Sequence, residues 1–169
     1  SSRVLPASRG GYTVGVLVQT NFGGILQING IPIGKFLKLQ GETSPADGSC
    51  MVIVATDAPC DSHSLKRLAK RALLGIARTG GYYSNASGDY AIAFSVAPGL
   101  RVSHRSSAST QRIEVLRADR LSPLFQAAAE ATEEAILNSL FKACRMEGKD
   151  GHVAEALPLD KVKDLMIQK

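Results

Sequence analysis

The chain has 169 residues, 44% of them apolar and 21% charged, an ordinary globular composition that supports one sizeable core without a metal or disulfide framework. No apolar run approaches the roughly 18 to 20 residues that cross a bilayer, and no charged-then-apolar leader opens the chain, so no membrane partner is expected. The formal charge of +5 does not imply a nucleic-acid partner, because the densest basic stretch, Lys66, Arg67, Lys70 and Arg71, reads as the solvated stripe of a helix whose other side carries Leu65, Leu68, Ala69, Leu73 and Ile76.

The first residue is Ser1 and not Met, so upstream sequence is expected. Cys50, Cys60 and Cys144 are odd in number and widely spaced, which predicts neither a disulfide scaffold nor a zinc site. They favour a reducing, cytoplasmic compartment, with the periplasm as the alternative.

Residues 11 to 20 are β-branched and apolar without helical spacing, as in a buried strand. Two short apolar runs, 25 to 28 and 31 to 33, flank Asn29-Gly30, the dipeptide that best tolerates a tight hairpin turn. Residues 40 to 48 are polar and rich in turn formers, so they predict an exposed loop before the apolar run at 50 to 55, with Ser49 on the boundary. An amphipathic helix is expected over 62 to 78, capped by Ser62 or Ser64 and terminated at Gly80. Strand character returns at 89 to 97, with a shorter strand at 112 to 117. The longest helix is expected from the cap-and-proline pair Ser122-Pro123 to about Met146, its apolar stripe including Leu124, Phe125, Ala128, Ile136, Leu140 and Ala143. A last helix is predicted from Asp160 to about Met166. Strands, helix, strands, helices in that order predict an α+β fold in which sheet layers are covered by helices.

Several kinds of chemistry are excluded first. His63, His104 and His152 have no helical i, i+4 partner and no nearby cysteine pair, so no metal is expected, and the glycine-rich stretches lack the lysine and spacing of a phosphate loop. The segment Asn85-Ala86-Ser87-Gly88-Asp89 reads by pattern as a polar turn. Gly48-Ser49 stands apart. A glycine before a serine that opens a buried strand permits backbone geometry in which the hydroxyl meets the preceding carbonyl, as an N→O acyl shift requires, although the same pair also reads as a loop entering a strand.

Gly48-Ser49 through Ala55-Thr56-Asp57-Ala58-Pro59, with Leu65-Lys66-Arg67-Leu68-Ala69 and Gly75-Ile76-Ala77-Arg78-Thr79-Gly80, closely resembles the L-aminopeptidase/D-amidase/D-esterase family, which includes β-aminopeptidases and nylon-oligomer hydrolases. The likeness extends upstream through Thr13 to Gly23 and downstream to Glu133-Glu134-Ala135 and Ala156-Leu157-Pro158-Leu159-Asp160. It implies an N-terminal-nucleophile hydrolase: a precursor that cuts itself between Gly48 and Ser49 into α and β pieces, which stay together in an α-β-β-α sandwich. Residues 1–48 would then end α, and residues 49–169 would form β. Most of α would be a missing partner, and an oligomer of αβ units is implied. By the same resemblance Ser49 is the nucleophile, Asn21 helps hold the oxyanion, Ser87 is the second serine, and Asp89 occupies an acidic position that is glutamate in the best-known members. No cofactor is implied.

These residues suit those roles. A freed Ser49 amine, with an ordinary pKa of roughly 7.7 to 8.0, can accept its own hydroxyl's proton, so one residue supplies nucleophile and base. Ser87 and Asp89 are two apart and face one way in extended chain, and Asn21 offers an amide donor. The expected reaction is hydrolysis of an amide or ester after an amino-terminal residue. The rival readings are an acyltransferase of the ornithine acetyltransferase type and an unprocessed, non-catalytic binding homologue.

Overall fold

The computed structural model describes residues 1–38 and 48–167, so the expected loop at 40 to 48 lies outside the described residues except for Gly48. Alternation of Val14, Val16 and Val18 sends one side chain in two to a common face. They lie on β2 (Thr13–Asn21), which runs antiparallel to both β1 (Ser2–Val4) and β3 (Ser49–Thr56). β4 (Tyr90–Ser95) joins β3 in parallel, giving one sheet in the order β1-β2-β3-β4. A parallel neighbour needs a long crossover, and α2 (Ser62–Arg78) supplies it.

Both ends of α2 are closed by hydrogen bonds. The cap is Asp61, one residue before the expected serines, and its carboxylate accepts the Ser64 N–H at 2.8 Å. At the other end Gly80, at φ +100, lets the Gly80 and Gly81 N–H groups reach the carbonyls of Ala77 and Ile76 at 3.1 and 3.0 Å. A Cβ on Gly80 would also lie 1.8 Å from the Ile25 carbonyl oxygen, so this turn admits glycine alone.

Three expected elements differ. The Asn29-Gly30 turn forms, with φ of 51° and 75°, but only Ile28 and Ile31 pair across it. Pro32 has no N–H to extend the ladder, and Ile33 begins α1 (Ile33–Leu37). No strand forms at 112 to 117, where Leu116 N–H instead donates to Pro59 O at 2.7 Å. The long helix α3 (Ser122–Phe141) has Leu121 and not Ser122 at its cap position, and it ends five residues early. Beyond it β5 (Met146–Glu147) pairs with β6 (Val153–Ala154) around Asp150-Gly151, both at positive φ, and that pairing takes the backbone groups a longer helix would need. Ala143 therefore leaves the apolar stripe.

α2 and α3 cover one face of the sheet. Val14, Val16, Cys50, Val52 and Val54 pack beneath Leu68, Ala72, Ile76, Leu124, Ala128 and Ile136. The basic stripe is only partly a solvated face, since Arg67 and Arg71 place their guanidinium groups over the Phe125 ring, 5.1 and 4.8 Å from its centroid. A smaller core joins Ile28 and Ile33 to Val162 of α4 (Leu159–Ile167). No helix among the described residues is long and apolar enough to cross a membrane.

The other face of the sheet exposes Leu17 (67%), Met51, Ile53, Tyr90, Ile92 (57%) and Phe94. The fold is α+β, and the described residues provide one sheet and one helical layer of the expected sandwich.

The two helices come into close contact at Gly75, where a Cβ would lie 2.6 Å from Thr132 Cβ and 2.7 Å from Glu133 N. Gly75→Ala would gain about 1 kcal/mol of helix propensity but overpack a backbone contact, which costs about 1 to 3 kcal/mol. The expected net result is a lower denaturant midpoint, measured by circular dichroism; a higher midpoint would mean that the helices separate freely.

Candidate active site

The register of β2 against β3 sets Asn21 directly opposite Ser49 at the end of the ladder. Strand alternation sends Cys50, Val52 and Val54 into the core and leaves Ser49 on the open face with Met51 and Ile53. Cys50 is thereby withdrawn from the open face. It is fully buried, and desolvation, aided by the Asp89 charge, pushes its thiol up to about 11.

Gly48 has φ +109, and a Cβ there would lie 1.9 Å from the Asn21 carbonyl oxygen and 3.2 Å from Phe22 Cα. The residue before Ser49 is pressed against the backbone of β2, and any side chain would force the two apart.

A turn just before β4 brings up the remaining groups. Ser87 N–H donates to Ser84 O at 2.9 Å, closing that turn. The Ser87 hydroxyl donates to Asp89 Oδ2 at 2.6 Å, so the two side chains share a side as their spacing predicts. The other carboxylate oxygen, Oδ1, accepts the Cys50 backbone N–H at 2.7 Å, tying the turn to the start of β3. Between them the Gly88 N–H donates to Ser49 Oγ at 3.0 Å.

Ser49, Ser87 and Asp89 are thus joined through one hydrogen-bonded turn, and Asn21 is set beside them by strand pairing. Two further residues border this cluster without carrying an obviously reactive side chain. One is Gly88, which meets Ser49 Oγ through its main chain. The other is Tyr83, at φ +55, which lines a small pocket with Phe22, Gly48, Tyr82, Ser87 and Asp89 and donates its hydroxyl to Leu73 O. The aromatic pair Tyr82-Tyr83 ahead of the polar turn was the available signal. Desolvation, then the Asp89 and Cys50 charges, push Tyr83 up to about 12, so its phenol stays protonated near neutrality. Among the described residues no group of three or more His, Cys, Asp or Glu side chains is placed to hold a metal ion.

The chain matches the family described as peptidase family S58 over residues 1–154. It is 42% identical over 175 residues to the beta-peptidyl aminopeptidase BapA of Sphingosinicella microcystinivorans, a match covering 94% of this chain and 44% of that protein. Its fold is similar to that of a Burkholderia sp. beta-aminopeptidase, with TM-score 0.85 and 39% identity over 99% of this chain and 48% of that one. It is equally similar to the L-aminopeptidase D-Ala-esterase/amidase of Ochrobactrum anthropi, described as a prototype for the serine aminopeptidases and a new variant among the Ntn hydrolase fold, with TM-score 0.86, 34% identity, and coverage of 99% and 47%. The chain spans about half the length of the relatives it matches.

The Tyr83 environment makes a pH prediction. Its folded pKa lies above the ordinary value of 10.0, so the stability it contributes is complete below pH 10 and is lost as pH rises through about 12. Absorbance titration at alkaline pH should show a late tyrosine step that is missing in Tyr83→Phe. If the amplitude lost in Tyr83→Phe instead titrates near the ordinary value of 10.0, Tyr83 lies in ordinary solvent.

Proposed function

This chain belongs to peptidase family S58, and from that premise we propose that it carries the nucleophile of a self-activating serine aminopeptidase or amidase. The observation that carries this reading is Ser49 itself. Its hydroxyl oxygen is held on the open face by the Gly88 N–H and stands opposite Asn21, directly after a glycine wedged against the Asn21 carbonyl.

In the precursor, Ser49 Oγ attacks the Gly48 carbonyl carbon. A C–O bond forms, the Gly48–Ser49 C–N bond breaks, and the hydroxyl proton ends on the departing amine. Water then hydrolyses the ester, leaving a Gly48 carboxylate and a free Ser49 amine beside a free hydroxyl. Residues 1–48 are by this reading the end of the α piece and residues 49–169 the β piece.

The same oxygen then acts on substrate. The Ser49 amine takes the hydroxyl proton while Oγ bonds to the carbonyl carbon of the amino-terminal residue of a peptide, amide or ester. Asn21 donates to the oxyanion. As the tetrahedral species collapses, the substrate C–N bond breaks and the leaving amine takes the proton from the Ser49 ammonium. Water, deprotonated by the same amine, releases the acyl group. The Ser87 hydroxyl and Asp89 carboxylate, hydrogen-bonded to one another, hold the turn that borders this oxygen.

The remainder of the active protein is proposed to be upstream α sequence, whose sheet covers the apolar face formed by Leu17, Met51, Ile53, Tyr90, Ile92 and Phe94. That much exposed apolar surface supports a permanent cover. Assembly of αβ units into an oligomer and a cytoplasmic location complete the proposal; Cys50, Cys60 and Cys144, all free thiols, favour a reducing compartment.

Ser49→Ala removes the attacking oxygen and should leave residues 48 and 49 joined by intact mass, without hydrolysis of amino-acid p-nitroanilides. Wild-type protein should give a small piece with the amino-terminal sequence Ser-Cys-Met-Val-Ile. A Ser49→Ala protein still split at that bond overturns the assignment. Asn21→Ala should lower kcat by roughly 10² to 10³ with a smaller effect on KM, since an oxyanion donor acts mainly on the transition state. An unchanged kcat removes Asn21 from the site.

A further inference from the structure

The resemblance assigns roles to side chains, yet among the hydrogen bonds described above the contact on the nucleophilic oxygen comes from the main chain. The Gly88 N–H lies 3.0 Å from Ser49 Oγ, while Asp89 spends one oxygen on the Cys50 N–H and the other on the Ser87 hydroxyl, at 2.7 and 2.6 Å. We propose that the Gly88 N–H is a catalytic donor to Ser49 Oγ, and that Asp89 is a positioning residue that acts by holding Gly88 in place. We further propose that the bare α-carbon of Gly88 keeps room for the acyl group. This rests on Ser49 being the nucleophile, as proposed above.

A serine hydroxyl has one proton and two lone pairs. With the Gly88 N–H on one lone pair, the second is left for attack and the proton is free to pass to the Ser49 amine. The same N–H then faces the ester oxygen of the acyl-enzyme. When water attacks that ester, Oγ leaves with developing negative charge, and a fixed donor already aimed at it lowers that barrier without reorganisation.

Asp89 secures the donor. Its Oδ1 is bound to the residue after the nucleophile and its Oδ2 to the residue before Gly88. One carboxylate therefore pins β3 and the turn to each other, with Gly88 and Ser49 Oγ between the two anchors. A carboxylate with both oxygens committed to fixed donors is a clamp more than a base. A direct hydrogen bond to a main-chain N–H also suits an aspartate here, because the carboxylate already meets the Cys50 N–H at 2.7 Å.

The glycine requirement at 88 is one of space. Gly88 lies outside the left-handed region, and an added Cβ would meet Tyr90 Cε2 at 3.8 Å and Ser49 Oγ at 3.4 Å, both ordinary contacts. Alanine therefore fits the resting protein but puts a methyl group against the oxygen that must carry the acyl carbon.

The test uses the full-length protein with its upstream α sequence. Gly88→Ala should keep wild-type thermal unfolding and lose roughly 10² in kcat/KM, a loss typical of misplacing a reacting group by about 1 Å, and the loss should grow from glycyl to L-alanyl p-nitroanilide. Asp89→Asn, which retains an oxygen for the Cys50 N–H, should keep at least about tenfold more activity than Asp89→Ala. Wild-type kcat/KM in Gly88→Ala, or equal losses in Asp89→Asn and Asp89→Ala, overturns the proposal; the aspartate pair decides it if the alanine variant does not fold. Ser49→Ala measured alongside separates the two levels: if it stays active the nucleophile reading fails, and if it alone is inactive only the Gly88 and Asp89 roles fail.

Discussion

The register between β2 and β3 is the constraint on which the rest of the site depends. From Val14 opposite Thr56 to Asn21 opposite Ser49 the strands stay in one antiparallel alignment. Because side chains alternate with period two, shifting the inward set by one residue would bury Ser49 and turn Cys50 outward. The core prevents this: Cys50, Val52 and Val54 fill the space beneath α2 and α3 together with Val14 and Val16. The packing of unreactive side chains thus decides which face Ser49 occupies, and Ser49 needs no interaction of its own to choose it.

The turn at 84 to 89 depends on that alignment in its own way. β4 lies parallel to β3, with Tyr90 level with Met51, so the residues just before β4 arrive beside Ser49 and Cys50. The parallel pairing is made possible by α2, whose seat on α3 relies on Gly75 against Thr132. A helix contact on the far side of the sheet therefore helps to fix where Gly88 stands.

Much of this was legible in the residues. Val14 to Val18, the apolar run after Ser49, and the span of α2 follow from periodicity alone, and Gly80 marked the helix end because the closing turn needs positive φ. The cap was expected at Ser62 or Ser64 and falls on Asp61: all three side chains can accept an N–H, and the extended backbone at Asp61 is what selects it. The end of α3 was missed because nothing between Phe141 and Gly148 breaks a helix, and the deciding signal, Asp150-Gly151, lies beyond it. Ser49, Asn21, Ser87 and Asp89 could be named from their types and the family likeness. Gly88 could not, because an amide hydrogen has no residue type and its contact with Ser49 Oγ appears only when two distant segments are brought together.

The uncovered side of the sheet bears on how such a molecule can be made. A row of Leu17, Ile53 and Ile92 beside Met51, Tyr90 and Phe94 is a sticky surface for any neighbouring chain during synthesis. A cover encoded in the same polypeptide would arrive in equal number and at an effective concentration of order millimolar, well ahead of strangers. Cutting the chain only after that cover has docked would join the moment of activation to proof of correct assembly, so that an unfolded or half-built copy would never acquire a free amine on its serine.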